Sequence, residues 1–176
     1  MLTAIAESNS QQTTFRLLDD GRDVGTLTVS GPLKGTIVVR SEKYRVRPPA
    51  NQAERVAAYT AASISPDREK DKGSPVKKSV WIVMHDEFER LLAVACKRSN
   101  TWELHWDDNN CHFKRFPIQA LRARWTLTAL TNGKNWGRVG RKSIFEDEIA
   151  FSTTESFSEP LKAFIVWLAA SHALEI

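Results

Sequence analysis

The stretch EPLKAFIVWLAASHALEI (residues 159–176) decides how the rest of the chain is read. Between Leu161 and Leu174 only Lys162, Ser171 and His172 are polar. At 1.5 Å per residue this run of about 14 residues is roughly 21 Å long, short of the about 30 Å core of a bilayer. A helix lying on a membrane surface needs a broad polar face, and three scattered polar residues do not make one. What remains is a helix covered by protein on every side. Its start is legible: Ser158 can cap it, Glu159 suits the positive end, and Pro160 is tolerated in the first turn. The spacing predicts a helix over about residues 159–174.

The remainder must supply the cover, and most of it reads as strands. TTFRLLDDGRDVGTLTV (residues 13–29) is two β-rich runs around Asp20-Gly21, a hairpin signal. SGPLKG is a turn cluster, and TIVVR and KYRVRP follow as strands. In the latter, Tyr44 and Val46 alternate with Lys43, Arg45 and Arg47, the pattern of a half-solvated sheet. SVWIVM (residues 79–84) is a continuous apolar strand. NTWELHW alternates Trp102, Leu104 and Trp106 against Glu103 and His105, DDNN turns, and CHFKRF returns. LRARWTLTAL (residues 121–130) sets Leu121, Ala123, Trp125, Leu127 and Ala129 on one face and Arg122, Arg124, Thr126 and Thr128 on the other. Asn132-Gly133 turns into NWGRVGR, and DEIAFST (residues 147–153) is the last strand.

Two segments resist this pattern. NQAERVAAYTAAS (residues 51–63) predicts a short helix, with Asn51 and Glu54 at capping-box spacing. SPDREKDKGSPVKK (residues 65–78) reads as an exposed, mobile loop. Residues 49–78 are therefore an insertion between strands of a single domain spanning 1–176. In HDEFERLLAVACKRS, Phe88, Leu91, Leu92 and Ala95 have helical spacing, and Asp86 with Glu89 could form a capping box. The alternative is a turn followed by a strand, RLLAVACK.

Serial hairpins form an up-and-down sheet, and closure into a barrel removes its edges. A barrel of many strands is too wide to be filled by its own side chains, and an apolar helix along the axis would fill it. A sandwich fills its core from its two sheets and leaves this helix no berth. The expected fold is mainly β: a closed antiparallel β-barrel of serial hairpins around a central hydrophobic C-terminal α-helix.

Hairpins with D-G or N-G turns, ending in FEDEIAFSTT and then EPLKAFIVWLAASHAL, resemble the tubby C-terminal-like superfamily. That group includes tubby domains, LURP-one-related proteins, phospholipid scramblases and bacterial proteins. The likeness is carried mainly by residues 125–174, and residues 49–78 have no counterpart. It implies a closed barrel around a central helix, and on that pattern ERLLAVACK is a strand. It also implies phosphoinositide headgroup binding through a basic pocket, as in tubby domains, although no tubby lysine–arginine motif aligns residue by residue. The calcium motif and membrane-spanning tail of scramblases find no match, so scramblase activity is not implied.

The chain has 176 residues, a net charge of +4, and 41% hydrophobic residues at a mean hydropathy of -0.37, which suits one soluble domain with one core. Cys96 and Cys111 have neither CxxC spacing nor a partner cluster, so a reducing compartment is the default. MLTAIAESNS has no basic n-region and no sustained apolar run, so no secretory signal is read there. A cytoplasmic location, at most peripheral to a membrane, is the expectation. HWDDNNCH (residues 105–112) gathers potential metal ligands, but adjacent strand residues point to opposite faces, so Cys111 and His112 should diverge. A solvated hairpin tip is the simpler reading, and no metal or cofactor is assigned. GxSxG, HExxH, P-loop and GxGxxG motifs are absent, so no catalytic residue is assigned.

Charge is unevenly spread. Residues 31–142 carry 22 Lys and Arg against 11 Asp and Glu, whereas residues 1–30 and 143–176 are acidic. Arg122, Arg124, Lys134, Arg138, Arg141 and Lys142 are the candidate anion-binding patch if they converge. The plainer reading is a solvated barrel surface with its cations spread round the circumference. Trp136 beside them is either an interfacial aromatic or core. The function expected from these residues is non-catalytic binding or tethering, with an anionic ligand, a phosphoinositide headgroup or a membrane surface as partner. The alternatives are a small-ligand barrel or barrel-mouth enzyme, which needs a cavity the helix would fill, and a protein-interaction domain using residues 49–78. Nucleic acid is disfavoured.

Overall fold

The computed structural model describes residues 1–7, 13–31, 33–62, 80–98, 101–107, 109–115, 124–129, 132–141 and 148–173. Twelve strands form one closed antiparallel barrel, each hydrogen-bonded to its sequence neighbours, with the first paired to the last. They are β1 (Leu2–Glu7), β2 (Thr13–Asp19), β3 (Arg22–Gly31), β4 (Lys34–Val39), β5 (Glu42–Arg47), β6 (Val80–His85), β7 (Leu91–Arg98), β8 (Thr101–Trp106), β9 (Asn109–Arg115), β10 (Arg124–Ala129), β11 (Asn135–Arg141) and β12 (Glu148–Thr153). Two helices complete the fold, α1 (Gln52–Ala61) between β5 and β6, and α2 (Glu159–Ala173) at the end.

Helix α2 is buried from Leu161 to Ser171 apart from the half-buried Lys162. It packs against β1, β3, β4, β11 and β12, so the apolar run of the sequence is the filling of the barrel. The inward residues of the strands meet it. Leu17, Leu27, Ile37, Ile82, Leu104, Phe113, Leu127 and Phe151 are all essentially inaccessible to solvent. Each alternates with a more exposed neighbour on the outer wall in the way a period of two requires. Glu159 enters at the rim through an ion pair with Arg40, and Lys162 reaches Asp19 at 3.4 Å. The backbone N–H of Lys162 donates to the Ser158 carbonyl, so the first turn begins where the sequence places it. Trp136, half-buried, stacks edge-on with Trp106 and Phe157 against the core, which resolves the choice left open for it.

Turn chemistry fits the hairpins. Asp20 and Gly21 both have positive φ (48° and 79°), as a two-residue turn between twisted strands needs. Gly133 has φ 69°, and its N–H donates to the Ala129 carbonyl. The ambiguous segment is a turn followed by strand β7. Asp86 takes the backbone N–H groups of Phe88 and Arg90 at 3.0 and 2.8 Å, so its carboxylate closes a turn rather than starting a helix.

The insertion contributes α1, which lies on the outer wall. Asn51 Oδ1 accepts the Glu54 N–H at 2.9 Å, and Glu54 Oε2 accepts the Ala50 N–H at 2.8 Å, a reciprocal cap displaced by one residue. Ala58 packs on Val83 and Val94, and Tyr59 meets Trp81 edge-on at 4.7 Å. The mobile loop expected over residues 65–78 lies outside the described residues.

Candidate anion-binding wall

Of the six candidate cations, strand register places Arg138 in a row of residues that crosses the outer face of β8 to β12. Thr101 pairs with Lys114, Lys114 with Thr126, Thr126 with Arg138, and Arg138 with Ser152. These five residues form one row across five strands, and Lys114, Arg138 and Ser152 are exposed. Lys114 and Arg138 are two strands apart, about 10 Å between backbones, with the Thr126 side chain between them. Side chains of that length can converge on one oxyanion above the threonine hydroxyl, with Ser152 as a further donor.

Not every predicted cation joins this row. Arg124 stands opposite Gly140 on β10, one step along the pleat phase of Thr126. Arg141 pairs with Ile149 and has the pleat phase of the core residue Val139, so its backbone position belongs to the other face of β11. Lys134 sits in the β10–β11 loop, away from the row, and its Nζ binds Glu155 Oε1 at 2.7 Å. Arg122 and Lys142 lie outside the described residues. Lys114, by contrast, was not among the predicted cations. CHFKRF places it outward, opposite in phase to Phe113, but only the β9–β10 register shows that it shares a row with Arg138.

Many cations of the molecule are already paired. Arg16, Arg40, Arg45, Arg47, Arg90 and Lys162 are each bound to a carboxylate. Among the described residues Lys114 and Arg138 have no such partner, nor do Arg22, Lys34, Lys43, Arg55 and Lys97; what sets Lys114 and Arg138 apart is their place on one row of the outer face. Two cations on one row without counter-charge give a local positive field, and an anion held between them gains from both.

The possible metal cluster disperses as its alternation requires. Cys111 is fully buried inside the barrel, and burial pushes its thiol up to about 12, so it stays protonated and unreactive. His112 faces the outer wall with Glu103 at 3.8 Å, and His105, also on that wall but buried, lies 4.0 Å from the same carboxylate. Asp108 is outside the described residues. No group of three His, Cys, Asp or Glu among the described residues could hold a metal ion. Cys96 is buried in β7.

No helix among the described residues is long and apolar enough to cross a membrane. No protein-family model, no curated protein and no solved structure matches this chain.

Proposed function

We propose that the protein is a non-catalytic binding module of the tubby-like kind, whose outer wall holds an anionic phosphate group. The observation that carries this reading is the juxtaposition of Lys114 and Arg138 across Thr126, without a carboxylate partner among the described residues. The closed barrel around α2 supports it indirectly, because a filled interior leaves the outer wall and the rims as the surfaces open to a ligand. The phosphate is that of an inositol lipid headgroup at a cytoplasmic membrane surface or of a free phosphorylated metabolite.

Sedimentation with vesicles, with and without phosphoinositide, separates the two sources when soluble inositol phosphate is the competitor. Binding is expected to weaken with ionic strength and to fall about tenfold or more in Lys114→Ala/Arg138→Ala, since each charge-assisted contact is worth about 1.5–3 kcal/mol before screening. Capture by headgroup alone assigns a free ligand, and capture by the vesicle beyond it assigns the membrane. Binding that ignores both salt and the double substitution would overturn the proposal.

A further inference from the structure

The barrel wall is not continuous at one rim. Strands β5 and β6 share three pairs, Arg45 with His85, Val46 with Met84 and Arg47 with Val83. On their other sides β5 makes five pairs with β4, and β6 makes six with β7. The first half of β5, from Glu42 to Tyr44, therefore faces the β6–β7 turn instead of a strand. A notch of about 190 Å³ opens there.

Its chemistry is specific. Tyr44 and Leu92 supply apolar surface, and Tyr44 is only 4% exposed. Phe88 stands at the edge with 72% of its surface in solvent, the most exposed large hydrophobic side chain among the described residues. Two aromatic rings thus border one small volume. The turn that carries Phe88 is fixed from within. Asp86, nearly buried, accepts the N–H groups of Phe88 and Arg90 and the Arg90 Nε–H at 2.6 Å. The Arg90 guanidinium, 5.6 Å from the centre of the Phe88 ring, is thereby neutralised by Asp86.

Two carboxylates of the lining are left over. Glu42 accepts the Tyr44 hydroxyl proton in a short hydrogen bond, and neither Glu42 nor Glu87 has an ion-pair partner among the described residues. Lys43, exposed, also lines the notch, so three carboxylates there face two cations, Lys43 and Arg90. The Tyr44 phenol is pushed above its ordinary range, first by burial, then by the hydrogen bond to Glu42 and by the charges of Glu42, Asp86 and Glu87. The notch therefore carries one carboxylate in excess beside aromatic surface, the opposite in sign of the wall formed by Lys114 and Arg138.

We propose that this notch binds a small alkylammonium group, either a free amine or the side chain of a lysine on another polypeptide. An ammonium is attracted by ring faces and by carboxylates together, and it does not have to be fully dehydrated to gain from both. The volume is below the roughly 300–1,000 Å³ of pockets for drug-sized ligands, which limits the occupant to about the size of one side chain.

Titration of the isotope-labelled protein, followed by NMR at constant ionic strength, tests this. The probes are choline, butylammonium and N-acetyl-lysine methylamide, with sodium chloride and 3,3-dimethylbutanol, the neutral isostere of choline, as controls. The expected result is saturable shifts at Tyr44, Phe88 and Leu92 with the ammonium probes alone. The exposed-site variants Glu42→Gln and Phe88→Ala should each weaken binding about threefold or more. Tighter binding of the lysine derivative than of the two simple amines assigns a polypeptide, and the reverse assigns a free amine. Equal binding of the neutral isostere, shifts unchanged by both substitutions, or no saturable shift at the notch would overturn the assignment.

Discussion

Trp167 shows how much of the barrel rests on single side chains. It is fully buried on α2, and its indole N–H donates to the Thr28 carbonyl of β3 at 3.1 Å. The ring fits there because β4 has a glycine below it. A Cβ on Gly35 would lie 2.2 Å from Trp167 Nε1 and 2.1 Å from the Thr28 oxygen. Gly35→Ala must therefore displace helix or strand, and a loss of about 1–3 kcal/mol is expected from urea unfolding. Trp167→Phe keeps most of the apolar volume but leaves the Thr28 oxygen without its donor, for a loss of about 1–3 kcal/mol. Trp167→Lys should abolish the folded state, because its ammonium would be buried without a partner; a cooperative melt near the parent temperature would contradict the axial helix. The burial of Trp167 was legible in the sequence, since its neighbours left no polar face. The role of Gly35 was not, because it depends on a close approach between residues far apart in the chain. Lys114 was missed for the same reason: alternation shows which face a residue takes, and register alone shows its neighbour on the next strand.

Among the elements, α1 adds ion pairs to its small apolar contact with Trp81, Val83 and Val94. Arg47 on β5 donates twice to Glu54 at 2.6 and 2.9 Å, and Glu89 in the β6–β7 turn pairs with both Arg45 and Arg47. Beneath them His85 is 5% exposed, with no partner for Nδ1 among the described residues. Burial, then Arg47, lowers its pKa below the ordinary histidine value; the carboxylates of Glu54 and Glu89 oppose this, and Arg45 adds to it. Glu54 is held down to about 2, first by Arg47 and then by the Ala50 N–H. The signs agree. Below about pH 6.5 the unfolded chain binds a proton at His85 that the native site resists, and below about 4.5 the same holds at Glu54. Stability should fall in two stages on acidification, read by thermal melts and by hydrogen exchange of the α1 amides. His85→Gln should flatten the upper stage, and Glu54→Gln the lower; a profile unchanged by either would show that the cluster does not secure α1. The helix itself was legible from Asn51 and Glu54, but its berth on Val83 and Val94 was not, because SVWIVM gives no sign of which element covers its outer face. Strand β7 was obscured for a different reason. Phe88, Leu91, Leu92 and Ala95 satisfy a helical period by coincidence, and the outcome is decided by β6 and β8, which would otherwise both be left with open edges.

At the scale of the whole molecule, the decisive element is the one the sequence showed least. LTAIAE, the core of the segment read only for the absence of a signal, is strand β1, and it pairs with β2 over six residues and with β12 over four. Two alanines and a Glu give it little strand propensity, so its conformation comes from the two edges it joins. Leu2 and Ala4 face the interior and complete the cover of α2. Removing residues 1–7 would leave β2 and β12 as facing edges of seven and six residues beside an uncovered stretch of apolar helix. Such edges recruit other chains. The truncated protein is expected to self-associate, seen as concentration-dependent elution in size exclusion, and to melt below the intact chain. A synthetic peptide of residues 1–12 supplied in excess should restore the monomer by inserting as the missing strand, and Ala4→Asp in that peptide should abolish the rescue by placing a charge against the helix. A truncated chain that stays monomeric with an unchanged melting temperature would mean that the barrel closes without β1, and that the cover of α2 comes from elsewhere.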